Sequence, residues 1–215
     1  MAKQDTNCSC GNPNPPGWKQ AAPGSGAIAY QVKGNRVRVQ LSMRTANVGA
    51  GYGITGGGFV ECGEIDDMPI GSVVLTVDEA FRECCEENRG FENVIDQDSF
   101  MIRAQPIMPL ASRADDINRV HLATMFALRV DDSEWNRIAE LPPGLDTKGN
   151  AEREAGMHDC WLDWDGVIDP RDPEAYVRLT DARGKLIRKT DFCHPHEYFV
   201  ITTLGWMAEN HKLLP

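Results

Sequence analysis

The chain has 215 residues, 41% hydrophobic and 25% charged, with a formal net charge of -10 at pH 7. That length suits one ordinary domain with a sizeable core or a small domain with appendages, and the composition is that of a soluble globular protein. No apolar run approaches the roughly eighteen residues of a membrane span, no signal-peptide core opens the chain, and the acidic balance argues against broad binding to nucleic-acid phosphates. The seven cysteines are odd in number and two of them adjoin at Cys84 and Cys85. A reducing cytoplasm is therefore expected, rather than a disulfide framework.

In chain order, residues 1–24 are rich in Pro, Gly and Asn and read as an N-terminal arm, in which Cys8 and Cys10 lack a second close metal-ligand pair and Trp18 is a candidate anchor. Two strands follow at 26–32 and 36–43, alternating Ile28, Tyr30, Val32 and then Val37, Val39, Leu41 around a turn at Gly34. Gly51, Gly53 and Gly56 satisfy G-x-G-x-x-G, but residues 57–63 are not helical, so a dinucleotide-binding fold is rejected. No G-x4-G-K-[ST] occurs.

Residues 76–89 are predicted to be a helix with two faces. Val77, Ala80, Phe81 and Cys84 form an apolar stripe to bury against a sheet, and Glu79, Glu83, Glu86 and Glu87 line up on another side. Like charges at that spacing cost roughly 0.2–0.5 kcal/mol per pair. No lysine lies between Gly34 and Thr147 to offset them. Carboxylates gathered in this way suit a hard divalent cation, and Mg²⁺ in particular is held by a few carboxylates together with substrate phosphates.

Beyond the helix, residues 99–107 and 120–130 have the apolar content of strands, the second nearly continuous and so expected inside a sheet, with a polar link at 112–116. Residues 131–141 suggest a short helix closed by Pro142, Pro143 and Gly144. A charged loop at 145–156 holds Glu152 and Glu154, a strand runs through 160–164, and an amphipathic helix closes the body at about 196–211. Cys193, His194 and His196 have the composition of a metal cluster, but Pro195 marks the entry to that last helix instead.

The stretch from Gly56 to Phe91 resembles the Nudix box, G-x5-E-x7-R-E-U-x-E-E-x-G-U. Gly58 and Glu64 match G-x5-E, Arg82 to Glu87 match R-E-U-x-E-E, and Gly90 with Phe91 resemble the closing pair. Two departures stand out. Seventeen residues separate Glu64 from Arg82 where the pattern has seven, and Asn88 and Arg89 precede Gly90 where it has one residue. The first is absorbed by an inserted loop at about 65–74, with Pro69 and Gly71 as turn signals.

The resemblance implies an α/β fold, a Nudix-like α-β-α sandwich with a mixed β-sheet, spanning residues 25–215. It implies a hydrolase that cleaves a nucleoside diphosphate linked to another moiety with Mg²⁺ or Mn²⁺. Carried over residue by residue, it puts Gly58 (or Gly57) through a carbonyl, with Glu83, Glu86 and Glu87, on the metal, and Arg82 in an orienting ion pair with box glutamates such as Glu64. The general base is either a box glutamate such as Glu86 or a loop glutamate, Glu152 or Glu154, with Glu154 preferred. Arg44, Arg103, Arg113 and Arg119 are candidate phosphate clamps, and Tyr52, Trp161 and Trp164 candidate stacking surfaces. Pro106, fifteen residues past Phe91, is a marker of the ADP-ribose pyrophosphatase branch, in which homodimers are common. Dinucleoside polyphosphates, NADH, nucleoside triphosphates and capped RNA stay open as substrates. A non-catalytic nucleotide-sensing module on the same fold is the alternative in kind.

Overall fold

In the computed structural model, the described residues are 21–34, 36–45, 50–59, 73–114, 119–146, 148–163 and 178–209. Strand β1 (Ala21–Lys33) turns at Gly34 into β2 (Arg36–Arg44), and the two pair antiparallel from Lys33 with Arg36 to Tyr30 with Val39. The hairpin expected from their alternation is present. β1 also runs parallel to β6 (Arg119–Arg129), in register from Ala21 with Val120 to Tyr30 with Arg129. Residues 21–24, assigned to the arm, therefore belong to the sheet: ladder pairing outweighs their turn-like composition.

The sheet builds outward from these strands. β6 pairs with β5 (Ala104–Ala114), β2 with β7 (His158–Asp163), and β7 with β8 (Arg178–Asp181), giving the order β5-β6-β1-β2-β7-β8. Two short strands lie off that path, β3 (Gly51–Gly53) on β2 and β4 (Gly56–Phe59) on β1. Among the described strand pairs only β1 and β6 run parallel, so the sheet is mixed, as expected.

Alternation sorts its two faces. Ile28, Tyr30, Val37, Val39, Leu41, Cys160 and Leu162 point to one side, under Tyr198, Val200, Ile201 and Leu204 of α4 (Pro195–Glu209). Ala27, Ala29, Phe126 and Leu128 point to the other. There they meet Val77, Ala80 and Cys84 of α1 (Val73–Glu87), Phe100 of α2 (Gln97–Arg103), and Trp135 and Ile138 of α3 (Asp132–Glu140). The result is an α-β-α sandwich. Small residues where α1 crosses the sheet let the helix lie close to the backbone of β1 and β4, carrying its acidic residues to the strand ends.

Several elements differ from the expectation. The stretch 99–103, read as strand, is the body of α2, because the Asp96 side chain caps the helix by accepting the Ser99 N–H at 2.9 Å. β5 then takes in residues 112–114 of the expected link, and its register slips between Pro106 and Met108, where a proline is tolerated. α1 begins at Val73, so Val73 and Val74 leave the inserted loop. α4 begins at Pro195, as the proline signalled, but it is apolar around most of its circumference rather than amphipathic. α3 follows Asp131, which forms a reciprocal capping box with Glu134. Cys8, Cys10, Trp18, Glu64, residues 66–72 and Trp164 lie outside the described residues. Among the described residues no helix is long and apolar enough to cross a membrane.

Candidate metal and nucleotide site

The apolar stripe of α1 turns Val77, Ala80 and Cys84 into the core, and this rotation carries three of the four stripe carboxylates inward. Glu79 is 1% exposed, Glu83 8% and Glu87 6%, while Glu86 faces solvent. Arg82, on the same face, is the cation among them. Its Nε donates to Glu79 Oε1 at 2.9 Å and its Nη2 to Glu83 Oε1 at 2.5 Å, with further bonds from Nη2 to Glu79 and from Nη1 to Glu86. The guanidinium is held firmly charged, the Glu79 hydrogen bond being the largest cause. Burial pushes the Glu83 carboxyl up to about 8; Arg82 opposes that shift, and Glu87, Glu86 and Glu79 reinforce it.

Glu83 rests against β4. Any Cβ on Gly58 would overlap its carboxylate, so glycine is what admits the carboxylate to the strand. One turn along, Glu87 pairs with Arg44 at the end of β2. Burial pushes the Glu87 carboxyl up to about 7; Arg44 pulls it down and Glu152 pushes it up. Behind them Glu197 of α4 is buried and accepts the Ile54 N–H at 3.0 Å. Burial pushes its carboxyl up to about 8, against Arg44 and with Glu87. Arg44 is thus one cation facing several acids: burial disfavours its charge, but Glu87, Glu197 and Glu152 more than offset that.

The irregular end of the box has a structural counterpart. Asn88 is fully buried; its Nδ2 donates to Thr55 O at 2.7 Å and Cys84 O at 3.0 Å, and its Oδ1 accepts from Arg153 Nη2 at 2.8 Å. Arg153, 2% exposed, also reaches the carbonyls of Glu87, Leu141, Glu154 and Gly156. The Gly144 N–H donates to Glu87 O at 2.8 Å. The last carbonyls of α1 are thereby capped by partners from the loop that follows α3. Gly90 then takes a left-handed φ of 92° that turns the chain into a tight turn at Phe91–Asn93.

No family profile and no curated protein matches the chain by sequence. A MutT/Nudix family protein from Enterococcus faecalis superposes with a TM-score of 0.53 at 14% identity, over 88% of this chain and 63% of that one. The fold is that of the Nudix proteins. The chain spans less than two thirds of the length of that Enterococcus protein. A Nudix hydrolase from Nitrosomonas europaea matches with a TM-score of 0.36 at 16% identity, over 97% of this chain and 81% of that one. The Nudix domain of NrtR from Shewanella oneidensis, solved with ADP-ribose, matches with a TM-score of 0.36 at 13% identity, over 72% and 80%.

On this Nudix fold the candidate residues do not all gather. Gly58, Arg82, Glu83, Glu86, Glu87 and Arg44 cluster around α1. Arg103 does not join them as a free clamp, because both its terminal nitrogens bind Glu134 at 2.7 Å, tying α2 to α3. Arg113 and Arg119 stand near the paired ends of β5 and β6, one register step apart, and only their backbone is described. Of the two loop glutamates, Glu152 is the one whose charge acts on Glu87 and Arg44; Glu154 is exposed, and its N–H donates to Met43 O. Trp161 is neither core nor an open platform, since Arg36 lies 4.6 Å over its ring. Tyr52 meets His158 edge-on at 5.7 Å. The reading of the sequence passed over Asn88, Arg153 and Glu197; the extra residue before Gly90 was the signal for the first, and the other two are set by tertiary burial alone.

Oxygen donors from glutamates and a glycine carbonyl suit Mg²⁺ or Mn²⁺ in chemistry. Among the described residues no three such side chains converge on one point, because Arg82 and Arg44 hold the carboxylates. Burial is the main cause that raises Glu83 and Glu87, to about 8 and about 7, with both arginines in place, and a further cation beside them would favour their charged forms.

Proposed function

We propose that the chain is a Mg²⁺- or Mn²⁺-dependent Nudix hydrolase of phosphoric anhydrides, cleaving a nucleoside diphosphate linked to another moiety, in the cytoplasm. The observation that supports this reading best is the pair of buried carboxylates, Glu83 and Glu87, one helical turn apart, with Glu83 against Gly58, on a Nudix fold. Glu83, Glu86 and Glu87 with the Gly58 carbonyl would hold the metal, which when bound neutralises diphosphate charge and acidifies a water. Arg82 orients the carboxylates from behind. Arg44, which pairs with Glu87 at the end of β2, would bind a phosphate oxygen. Glu152, whose charge bears on Glu87 and Arg44, would be the loop glutamate that accepts the proton, in place of Glu154.

ADP-ribose is the first substrate to test, on the strength of Pro106. Incubation with Mg²⁺ should release AMP and ribose 5-phosphate, and Glu86→Gln or Glu87→Gln should abolish the release. The occupation of every stripe carboxylate by an arginine also suits a nucleotide-sensing module that does no chemistry. Saturable ADP-ribose binding without product under Mg²⁺ or Mn²⁺ would favour that second reading. Elution as a dimer on sizing is expected for the enzyme.

A further inference from the structure

Arg153 lies in the loop that joins α3 to β7, between the two glutamates weighed above as general base, and is 2% exposed. A guanidinium carries five N–H donors in a fixed fork. Here every one is used. Nε donates to Glu87 O at 3.3 Å, Nη1 to Glu154 O at 2.9 Å and Gly156 O at 3.3 Å, and Nη2 to Asn88 Oδ1 at 2.8 Å and Leu141 O at 3.0 Å. The acceptors come from the end of α1, the C-cap of α3 and the loop itself, and none of them is a carboxylate. Burial pulls the pKa of this guanidinium down, with the charge of Glu87 opposing. A loop that had only to join α3 to β7 would leave such a charge in water.

The main chain beside Arg153 is tied to β2. Arg153 bridges Arg44 in antiparallel fashion, the Glu152 carbonyl accepts the Thr45 N–H at 3.1 Å, and the Glu154 N–H donates to Met43 O at 2.8 Å. On its other side the Glu152 N–H donates to Gly144 O at 3.2 Å. We propose that Arg153 is a positioning residue that holds the loop 151–154 at a fixed distance from the end of α1 and so sets where the Glu152 carboxylate stands relative to Glu87. The Glu87 carbonyl is bound directly by the fork, and Glu152 is the next residue in the chain, so one rigid group spaces the two acids. Lysine, with three donors on a flexible stem, cannot bind all five oxygens. Arg153 acts on the reaction through Glu152.

The inference rests on the hydrolase reading above, and two measurements keep their failures apart. The first needs no substrate: hydrogen exchange at the Glu152 and Glu154 amides in the full chain and in Arg153→Lys. Both amides should exchange on the order of tenfold faster in the variant, relative to the amides of the β1–β2 ladder, which report global opening. The second is a double-mutant cycle in kcat on ADP-ribose with Mg²⁺. Arg153→Lys alone should lower kcat by up to about 100-fold, the scale of a 1 Å misplacement, with KM little changed. In a Glu152→Gln background it should lower kcat by less than about threefold, because the carboxylate it positions is already gone. A residue that only stabilises the fold would give equal losses in both backgrounds. Thermal unfolding identifies the folded variants. Where lysine does not fold, Thr45→Val, which removes the hydroxyl bonds to the Ala151 and Glu152 carbonyls, loosens the same loop from β2 and carries both measurements. Unchanged exchange, or equal losses of kcat in the two backgrounds, overturns the role of Arg153. A full chain that turns over no ADP-ribose, with the exchange difference present, overturns the reading of the site as an ADP-ribose hydrolase instead.

Discussion

Gly58→Ala is the sharpest probe of where the metal ligands sit. The backbone at Gly58 has no left-handed φ, so alanine fits the local conformation, and β4 keeps its pairing of Gly58 with Ser25. The added methyl would overlap the Glu83 carboxylate and nothing nearer. To restore van der Waals contact the carboxylate must retreat by about 1 Å. It sits at the end of a flexible side chain, so folding stability should change by less than about 1 kcal/mol, a shift of roughly 2–4 °C in the thermal midpoint for a chain of this size. A displacement on that scale at a reacting centre costs on the order of 100-fold in rate. Gly57→Ala is the companion variant. Its methyl meets Ile54 Cδ1 at 3.1 Å and Gly26 Cα at 3.3 Å, so it should lower stability first. The assay is kcat/KM on ADP-ribose with Mg²⁺ beside thermal unfolding. Full activity in Gly58→Ala would refute the placement of Glu83 against this strand at the metal.

Arg153→Ala should destabilise the chain by about 3 kcal/mol or more, read from urea unfolding, because it strands Asn88 Oδ1 and the capped end of α1; lysine, with fewer donors and no fork, should restore little. Glu197 gives a pH dependence with a definite sign. Its carboxyl is raised in the fold from 4.5 to about 8, so the folded state binds the extra proton. The stability it confers is complete below about 4.5 and is lost as pH rises through about 8. Glu197→Gln should flatten that decline by on the order of a few kcal/mol between pH 5 and pH 9, seen as converging urea midpoints; a parallel decline in the variant would contradict the assignment.

What the sequence revealed divides along the range of the forces involved. α1 was legible in both its faces, since Val77, Ala80 and Cys84 repeat at the helical period and the burial of that stripe fixes the rotation of Glu83 and Glu87. α2 was not, because Phe100, Met101 and Ile102 read as a strand, and the choice was made by one Asp96 cap and by the burial of Phe100, with Ile102 left 85% exposed. Arg153 sits between two glutamates in a stretch that reads as solvated loop. Its burial follows from main-chain carbonyls contributed by segments up to 66 residues away, which local pattern cannot report. The tie of Arg103 escapes local pattern for the same reason, since Glu134 reaches it only once α2 and α3 are packed together.

The choice between Glu152 and Glu154 follows from the same loop. Burying Arg153 against the end of α1 sends its two neighbours away from that contact. Glu152 is half-buried and bears electrostatically on Glu87 and Arg44, whereas Glu154 lies in solvent. A general base must reach the proton it takes, directly or through one water, and is worth roughly 10²–10⁴ in rate. Glu152→Gln should therefore lower kcat by at least about 100-fold, because the amide keeps the shape but cannot accept the proton. Glu154→Gln should stay within about threefold in kcat. The measurement is kcat against pH for both variants, alongside Mn²⁺ titration. A Glu152→Gln protein that retains its rate and its acid limb, with the loss appearing in Glu154→Gln, would mean that the loop turns over when substrate binds and that its resting geometry misidentifies the base.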